Sequence, residues 1–448
     1  MNPTLSTEEL SPVVQELSAA NQAFLARYPG ETDRRQPVHV VYGGAHLFKA
    51  NTARRLGETA RRSLTEYAPD PATLAAALGA DWDTPFAADL YARVVAKLER
   101  EPTEDFRLDF EDGYGNRPDA EEDGHAVAAA EVVAAGMERG TLPPFVGIRV
   151  KPFNEDLRAR SMRTLDLFVT ALVAKTGGRL PDNFVITVPK VQIAAHVAAA
   201  ARTCALLEEK LGLPAGALRL ELMVETPQAI IGADGRCPLL GFIEAAAGRC
   251  GSLHFGVYDY TASFGITAAY QAMGHPACDF ARTVMVAALA GTGVQLSDGA
   301  TNILPVGPHR GEGLTDAQLR ENRAAVHGAW KLAFDDTLHS LRNGIYEGWD
   351  LHPAQLVSRY AAVYSFFLAG LPAASGRLKA FVEKAALASL FGDVFDDAAT
   401  GQGLLNFFLR GIACGAITEA EALATGLTLE EIRTRSFLKI LLGRRKAA

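Results

Sequence analysis

The chain has 448 residues, a net charge of −8, 48% hydrophobic residues and 21% charged residues. This composition supplies a sizeable core and room for one large domain plus an extension, or for two to three smaller domains. It excludes non-specific nucleic-acid binding, which needs clustered basic charge, and leaves an anionic substrate open, because local charges decide that.

Residues 1–37 form an N-terminal helical segment, in which Ser6 and Glu9 have the spacing of a capping box. Residues 1–20 are polar and acidic, without the basic-then-apolar pattern of a signal peptide. Strand-like runs follow at 38–42, 106–110, 145–150, 184–188, 219–224, 253–257, 293–297 and 349–351, separated by Ala-rich helical stretches such as 126–137, 193–211 and 279–290. Strand–helix alternation of this kind predicts a parallel sheet with crossover helices, and eight strands at this spacing predict an α/β fold, a (β/α)₈ TIM barrel. The interval 43–103 is long for a first connection, and its helical stretches 53–64 and 85–98 read as a helical insertion. Beyond His352-Pro353 the strand pattern stops, and Thr418 with Glu421 and Thr428 with Glu431 offer two more capping boxes. The expected organisation is a barrel over 38–355 and a helical C-terminal extension over 356–448, serving as a cap or an oligomer contact.

The five scattered cysteines, Cys204, Cys237, Cys250, Cys278 and Cys414, read as reduced thiols of a cytoplasmic protein. No apolar run reaches the roughly 18 to 20 residues of a membrane helix, so neither a membrane nor a nucleic acid is an expected partner.

Polar residues gather just after the strands. Asp109-Phe110-Glu111-Asp112 closes the second, Arg149 and Lys151 the third, Lys190 the fourth and Glu225 the fifth; Asp259, Asp298 and His352 follow the sixth, seventh and eighth. The carboxyl ends of barrel strands share one mouth, so these residues converge on one pocket. Glu225 and Asp259, ending successive apolar runs, suit a hard cation such as Mg²⁺, which takes one or two carboxylates plus waters and substrate oxygens; the competing reading is that both cap helices or pair with Arg. Arg149 offers a planar fork to a carboxylate or an enolate oxygen, or a structural partner to Glu111 or Glu225. Three carboxylates in four positions, Asp109, Glu111 and Asp112, cannot all ionise cheaply; this fits a general base and equally an acidic loop paired to Arg117 and Arg149. The Gly43-Gly44 loop carries His46 and Lys49, which either hold an anionic group or belong to a plain strand-to-helix turn. His352 is best read as a structural group bonded to a neighbouring carboxylate.

These motifs, in this order over residues 38–355, resemble the citrate lyase β-subunit-like branch of the HpcH/HpaI aldolase family, within the phosphoenolpyruvate/pyruvate-binding barrels. The family's Asp-Leu-Glu-Asp is here Asp109-Phe110-Glu111-Asp112, its Arg-Val-Asn is Arg149-Val150-Lys151, and its Pro-Lys-Val-Glu is Pro189-Lys190-Val191-Gln192. Its Ile-Glu-Thr is Val224-Glu225-Thr226, its Gly followed by Asp is Gly256 and Asp259, its Asp-Gly is Asp298-Gly299, and its Ile-His-Pro-x-Gln is Leu351-His352-Pro353-Ala354-Gln355. The resemblance implies a Mg²⁺-dependent carbon–carbon lyase, usually oligomeric, that splits hydroxy-keto acids or 3-hydroxyacyl-CoA thioesters. It makes Glu225 and Asp259 the metal ligands, with Mn²⁺ an alternative ion, and Arg149 a substrate-binding residue. The departures at Asp112, Lys151 and Gln192 leave the base and the substrate open. On this reading Arg149, Asp112 and Asp109 are the candidate catalytic residues, with Asp112 or a metal-bound water taking the proton. Arg149, Lys190, His46 and Lys49 are the candidate substrate contacts. Two other readings stand beside it: phosphoryl transfer to or from an enolate, with Lys49, Lys151 and Lys190 binding the phosphate, and non-catalytic binding of a small acid or CoA ester.

Overall fold

The computed structural model describes residues 4–30, 34–383, 389–391, 394–396 and 398–447. Eight parallel strands close in sequential order into a barrel: β1 His39–Gly44, β2 Asp105–Asp109, β3 Phe145–Arg149, β4 Phe184–Val188, β5 Arg219–Val224, β6 Cys250–Phe255, β7 Gln295–Ala300 and β8 Glu347–Asp350, which pairs back onto β1. The (β/α)₈ barrel expected from the alternation is the fold observed.

Strand periodicity decides which side chains face the axis. Along β5, Leu220, Leu222 and Val224 enter the apolar shell beneath the helices, while Glu221 meets Thr187 on the neighbouring β4 and Arg107 on β2 inside the barrel. A two-residue repeat therefore carries Glu221, Met223 and then Glu225 toward the axis. Register does the same between strands: Asp109 on β2 lies directly beside Arg149 on β3.

Helix α1 Thr7–Arg27 precedes the barrel, and α2 Thr52–Tyr67, α3 Pro71–Leu78 and α4 Thr84–Arg100 lie between β1 and β2. Next come α5 Asp119–Arg139, α6 Arg158–Thr176, α7 Ala194–Leu211, α8 Leu239–Ala245, α9 Val257–Ser263, α10 Pro276–Leu289 and α11 Asp316–Arg342. After β8 stand α12 Gln355–Glu383, a short antiparallel pair (β9 Ser389–Phe391 and β10 Val394–Asp396), α13 Ala398–Ala413, α14 Glu419–Leu423, α15 Leu429–Arg433 and α16 Phe437–Ala447. All three capping boxes read from the sequence form, at Ser6, Thr418 and Thr428. The β9–β10 pair departs from the all-helical extension expected there.

One expectation is corrected. Residues Gln355–Val382 of α12 make a helix long and apolar enough, by length and composition, to cross a membrane. Here α12 packs against α11, α4 and α13 and supplies Tyr360, Phe367 and Phe381 to a second buried apolar cluster with Trp330 and Phe408. Arg359 within it pairs with Asp350 at the end of β8, so the helix is seated by charge as well as by apolar contact.

Candidate functional site

The site is built outward from the β2–β3 register. Asp109 is fully buried and accepts Arg149 Nε at 2.7 Å and Nη2 at 2.5 Å, together with the backbone N–H groups of Glu111 and Gly113 at 2.9 and 2.7 Å. Burial works to raise the Asp109 pKa, but the bonds and charge of Arg149 outweigh it and hold the carboxyl below its ordinary value. Arg149, 1% exposed, lies over the rings of Tyr42 and Trp349 at 4.8 and 5.6 Å, which pack on each other at 4.4 Å and give the guanidinium cation–π support. Its remaining nitrogen, Nη1, stands 3.0 Å from Glu111 Oε2 and 3.7 Å from Asp112 Oδ2.

Lys190 follows β4 with its backbone in the left-handed region, φ +50°, where a side chain with a Cβ is strained. That conformation turns its N–H onto Glu225 Oε1 at 2.6 Å. The ammonium group reaches Glu111 Oε1 at 2.5 Å, Asp259 Oδ2 at 3.2 Å and Asp112 Oδ2 at 3.6 Å. Burial lowers the Lys190 pKa, yet the charges of Glu225 and Glu111 overcome this and raise it, so Lys190 stays protonated in a nest of carboxylates.

Glu225, one residue past β5 and 1% exposed, is treated differently from its neighbours. Among the described residues its carboxylate has that single backbone hydrogen bond and no Lys, Arg or His within ion-pair distance. Burial pushes it up to about 8, with Glu111 and Asp259 adding to the rise and Lys190 opposing it. The chain makes room for it at Gly256, where a Cβ would fall 2.5 Å from Glu225 Oε2 and 2.6 Å from Glu225 Cβ.

Asp259 does not close a strand, as the sequence had suggested. β6 ends at Phe255, and Asp259 lies in the first turn of α9, its side chain 44% exposed toward the mouth.

Among the described residues no set of three or more His, Cys, Asp or Glu is grouped as metal ligands. Two carboxylates are nevertheless what Mg²⁺ commonly takes from a protein when water and substrate oxygens complete its shell. Glu225, buried without a paired cation, and Asp259, open to solvent, fit that donor set: an unpaired buried carboxylate is costly unless a cation or a proton neutralises it.

The other candidates fall in several places. Asp112, its side chain 61% exposed, stands beside Arg149 and Lys190. Asp109 has no free lone pair facing the mouth; its part is to position Arg149, in place of the catalytic part expected for it. His46 stands apart from the carboxylates: its Nε2 is 3.3 Å from Arg117 Nη2 and its ring 5.3 Å from Tyr114. Burial and then the Arg117 charge lower its pKa. Lys49 is exposed and borders a surface cavity with Arg100 and Arg139. Lys151 is buried against Glu122 at 2.8 Å and the Phe110 carbonyl at 2.6 Å, so Lys49, Lys151 and Lys190 do not converge on one phosphate position. Arg117 pairs with Glu121 rather than with the acidic loop. His352 Nδ1 accepts the Ala354 N–H at 3.2 Å, not a carboxylate contact as expected. Asp298 is held by Arg282 at 2.8 Å.

The fold defines the chain as a (β/α)₈ barrel protein. The chain superposes on a citrate lyase from Burkholderia xenovorans LB400 with a TM-score of 0.56 at 18% identity, covering 90% of this chain and 100% of that one. Looser superpositions, each with a TM-score of 0.46 at 14% identity, relate it to Haloferax volcanii malate synthase (79% of this chain, 86% of that one) and to CitE from Mycobacterium tuberculosis in complex with magnesium, acetoacetate and coenzyme A (86% and 100%). The chain belongs to the family described as "Domain of unknown function (DUF6986)", which matches residues 17–440. No curated protein matches its sequence.

Proposed function

We propose that this protein is a Mg²⁺-dependent carbon–carbon lyase acting through an enolate, on a hydroxy-keto acid or a 3-hydroxyacyl thioester. The observation that carries this reading is Glu225: a buried carboxylate without a paired cation, at the barrel mouth where Lys190 joins it to Asp259 and Glu111 joins Lys190 to Arg149. Mg²⁺ held by Glu225 and Asp259 would supply Lewis-acid polarisation of the substrate's carboxylate and neighbouring oxygen.

The rest of the work falls to the chain's own side chains. Arg149, supported by the rings of Tyr42 and Trp349 and fixed by Asp109, offers Nη1 to the oxygen that gains charge as the carbon–carbon bond breaks. Because Asp109 already occupies Nε and Nη2, the guanidinium is aimed before substrate arrives and little reorganisation remains. Asp112, exposed at the mouth, takes the substrate hydroxyl proton as that oxygen becomes a carbonyl. The bonding pair of the broken bond moves to the enolate, which is then protonated on carbon by the proton that Asp112 took up, so the base is regenerated. Lys190 balances the carboxylates and keeps Glu111 from competing for the substrate's place.

The fold likeness to a protein described as a citrate lyase and the strand-end motifs support the same class of reaction. The phosphoryl-transfer reading loses its basis with the dispersal of Lys49 and Lys151, and no observation favours it. Purified protein assayed with and without Mg²⁺, or Mn²⁺, on a panel of hydroxy-keto acids and 3-hydroxyacyl thioesters is expected to release pyruvate, acetate or an acyl thioester only with metal present. Metal-independent cleavage, or full turnover by Glu225→Gln, would overturn the assignment.

A further inference from the structure

Helix α1 has no buried residue along its 21 residues, a length of about 32 Å. Leu10, Val13, Val14, Leu17 and Phe24 recur at helical spacing along one side of it, and Val13, Leu17 and Phe24 are 60%, 58% and 61% exposed. A contiguous apolar stripe of this kind marks an interaction surface. The acids on the same helix are also unspent: among the described residues, Glu8 and Glu16 have no Lys, Arg or His within ion-pair distance.

The chain holds α1 at its C-terminal end. Arg27 pairs with Glu244 of α8, and the Gly30 N–H donates to the Gly291 carbonyl at 2.8 Å, between α10 and β7. On the other side of the barrel a groove of about 1240 Å³ separates α2 and α4, which join β1 to β2, from α5, which joins β2 to β3. In the closed ring β2 stands opposite β6, so this groove lies across the barrel from the anchor of α1, and α1 does not enter it.

Size, shape and charge of the groove suit a helix. It exceeds the roughly 300–1,000 Å³ of small-molecule pockets. Ala53 of α2 and Ala128, Val132 and Ala135 of α5 line it, and small side chains at helical spacing leave hollows for larger ones from a facing helix. Its acids are matched: Glu58 by Arg54 at 3.5 Å, Glu99 by Arg61 at 3.1 Å, Glu131 by Lys175 at 2.9 Å and Glu101 by Lys97 at 2.6 Å. Lys49, Arg100 and Arg139 line it too, and among the described residues they have no carboxylate within ion-pair distance. The groove keeps surplus positive charge, and α1 carries surplus negative charge.

We propose that α1 of one copy docks in the groove between α2 and α5 of a second copy, with Leu10, Val13 and Leu17 over the alanine floor and Glu8 and Glu16 toward the unpaired cations. Arm and groove face opposite sides of the barrel, so the contact is heterologous and joins copies head to tail. Full-length protein is studied by sedimentation, as the parent, as Leu17→Asp, and as the double variant Lys49→Glu, Arg139→Glu. The parent is expected to self-associate, and each variant to do so about tenfold more weakly or worse. All three positions are exposed, so the thermal midpoint of each variant is expected to match the parent's. An equimolar mixture of the two variants is the decisive sample, because one supplies an intact groove and the other an intact arm; it is expected to form a dimer. A monomeric parent, parental association by the groove variant (arms pairing with each other), or a mixture that associates no better than its components would overturn the proposal.

Discussion

Glu221 and Glu225 sit four residues apart along one line of chain, both 1% exposed and both turned toward the barrel axis, and they live in opposite surroundings. Glu221 is bonded by Arg107 Nη2 at 2.7 Å, His254 Nε2 at 2.7 Å, Thr187 Oγ1 at 2.6 Å, Ser252 Oγ at 3.0 Å and Tyr42 Oη at 3.1 Å. Burial alone would raise its pKa, yet Arg107 and His254 reverse this and hold it well below the ordinary value. Glu225 has one backbone N–H and rises to about 8. Depth in the protein is the same; the supply of donors is not. The lower carboxylate is consumed by structure, whereas the upper one is left with capacity to bind something the chain does not provide.

The sharpest way to break this contrast is to replace each glutamate by its neutral isostere. Glu221→Gln leaves Arg107 with Asp105 alone and His254 with Glu347 at 3.8 Å, and is expected to cost ~3 kcal/mol of stability. Glu225→Gln resembles the protonated acid already favoured at neutral pH, and its stability without metal is expected to stay within ~1 kcal/mol of the parent. Its Mg²⁺-dependent turnover is expected to fall roughly a thousandfold, or ~4 kcal/mol of transition-state stabilisation. Chemical denaturation and steady-state kinetics on the two variants read both quantities; equal destabilisation would show that Glu225 is structural after all.

Gly256→Ala tests the same site by space instead of charge. The added Cβ would sit 2.5 Å from Glu225 Oε2, so the carboxylate or the start of α9 must shift. Metal affinity is expected to weaken by about 10–100-fold, measured by titration with Mn²⁺ as a spectroscopic probe. An unchanged affinity would remove Glu225 from the metal site.

The pH dependence separates proton from cation at Glu225. In the folded chain without metal, Glu225 keeps its proton up to about pH 8, against an ordinary value of 4.5. Its contribution is therefore fully present below pH 4.5 and is lost as pH rises through 8. A cation demands the ionised form, so apparent Mg²⁺ affinity is expected to weaken about tenfold for each pH unit below 8. Affinity that is flat between pH 6 and 8 would show that another group holds the ion.

Much of this was legible in the sequence because strand periodicity and strand ends are local signals. The eight apolar runs gave the barrel, and Asp109, Arg149, Lys190 and Glu225 stood out as polar residues ending apolar strands. What escaped was set by tertiary contact or by single dihedral angles. Asp259 looked like a strand end because Val257 and Tyr258 are good strand formers, but β6 stops at Phe255 and α9 begins at Val257. The left-handed backbone of Lys190 has no sequence mark in a residue other than glycine. Lys49 and Lys151 share a charge and a strand-end position with Lys190, and only the fold reveals that one is outside the site and another is spent on Glu122. The apolar length of α12 was missed because Arg359 and Pro372 interrupt the run, and in the fold Arg359 is neutralised by Asp350.

Tyr42 joins the two layers, and its replacement is the mildest and most discriminating change. Its hydroxyl lies 3.1 Å from Glu221 Oε1 and 3.2 Å from His254 Nδ1, while its ring carries Arg149 at 4.8 Å. Tyr42→Phe removes the hydroxyl and keeps the ring. Glu221 retains Arg107, His254, Thr187 and Ser252, so the expected loss is about 1 kcal/mol of stability, read from the denaturation midpoint. Arg149 keeps its aromatic support, and kcat/KM for the Mg²⁺-dependent reaction is expected to stay within about twofold, less than ~0.5 kcal/mol. A tenfold drop in turnover at unchanged stability would mean that the lower hydrogen-bond network steers Arg149 through the tyrosine. The two glutamates would then belong to one coupled device, not to a structural layer beneath a chemical one.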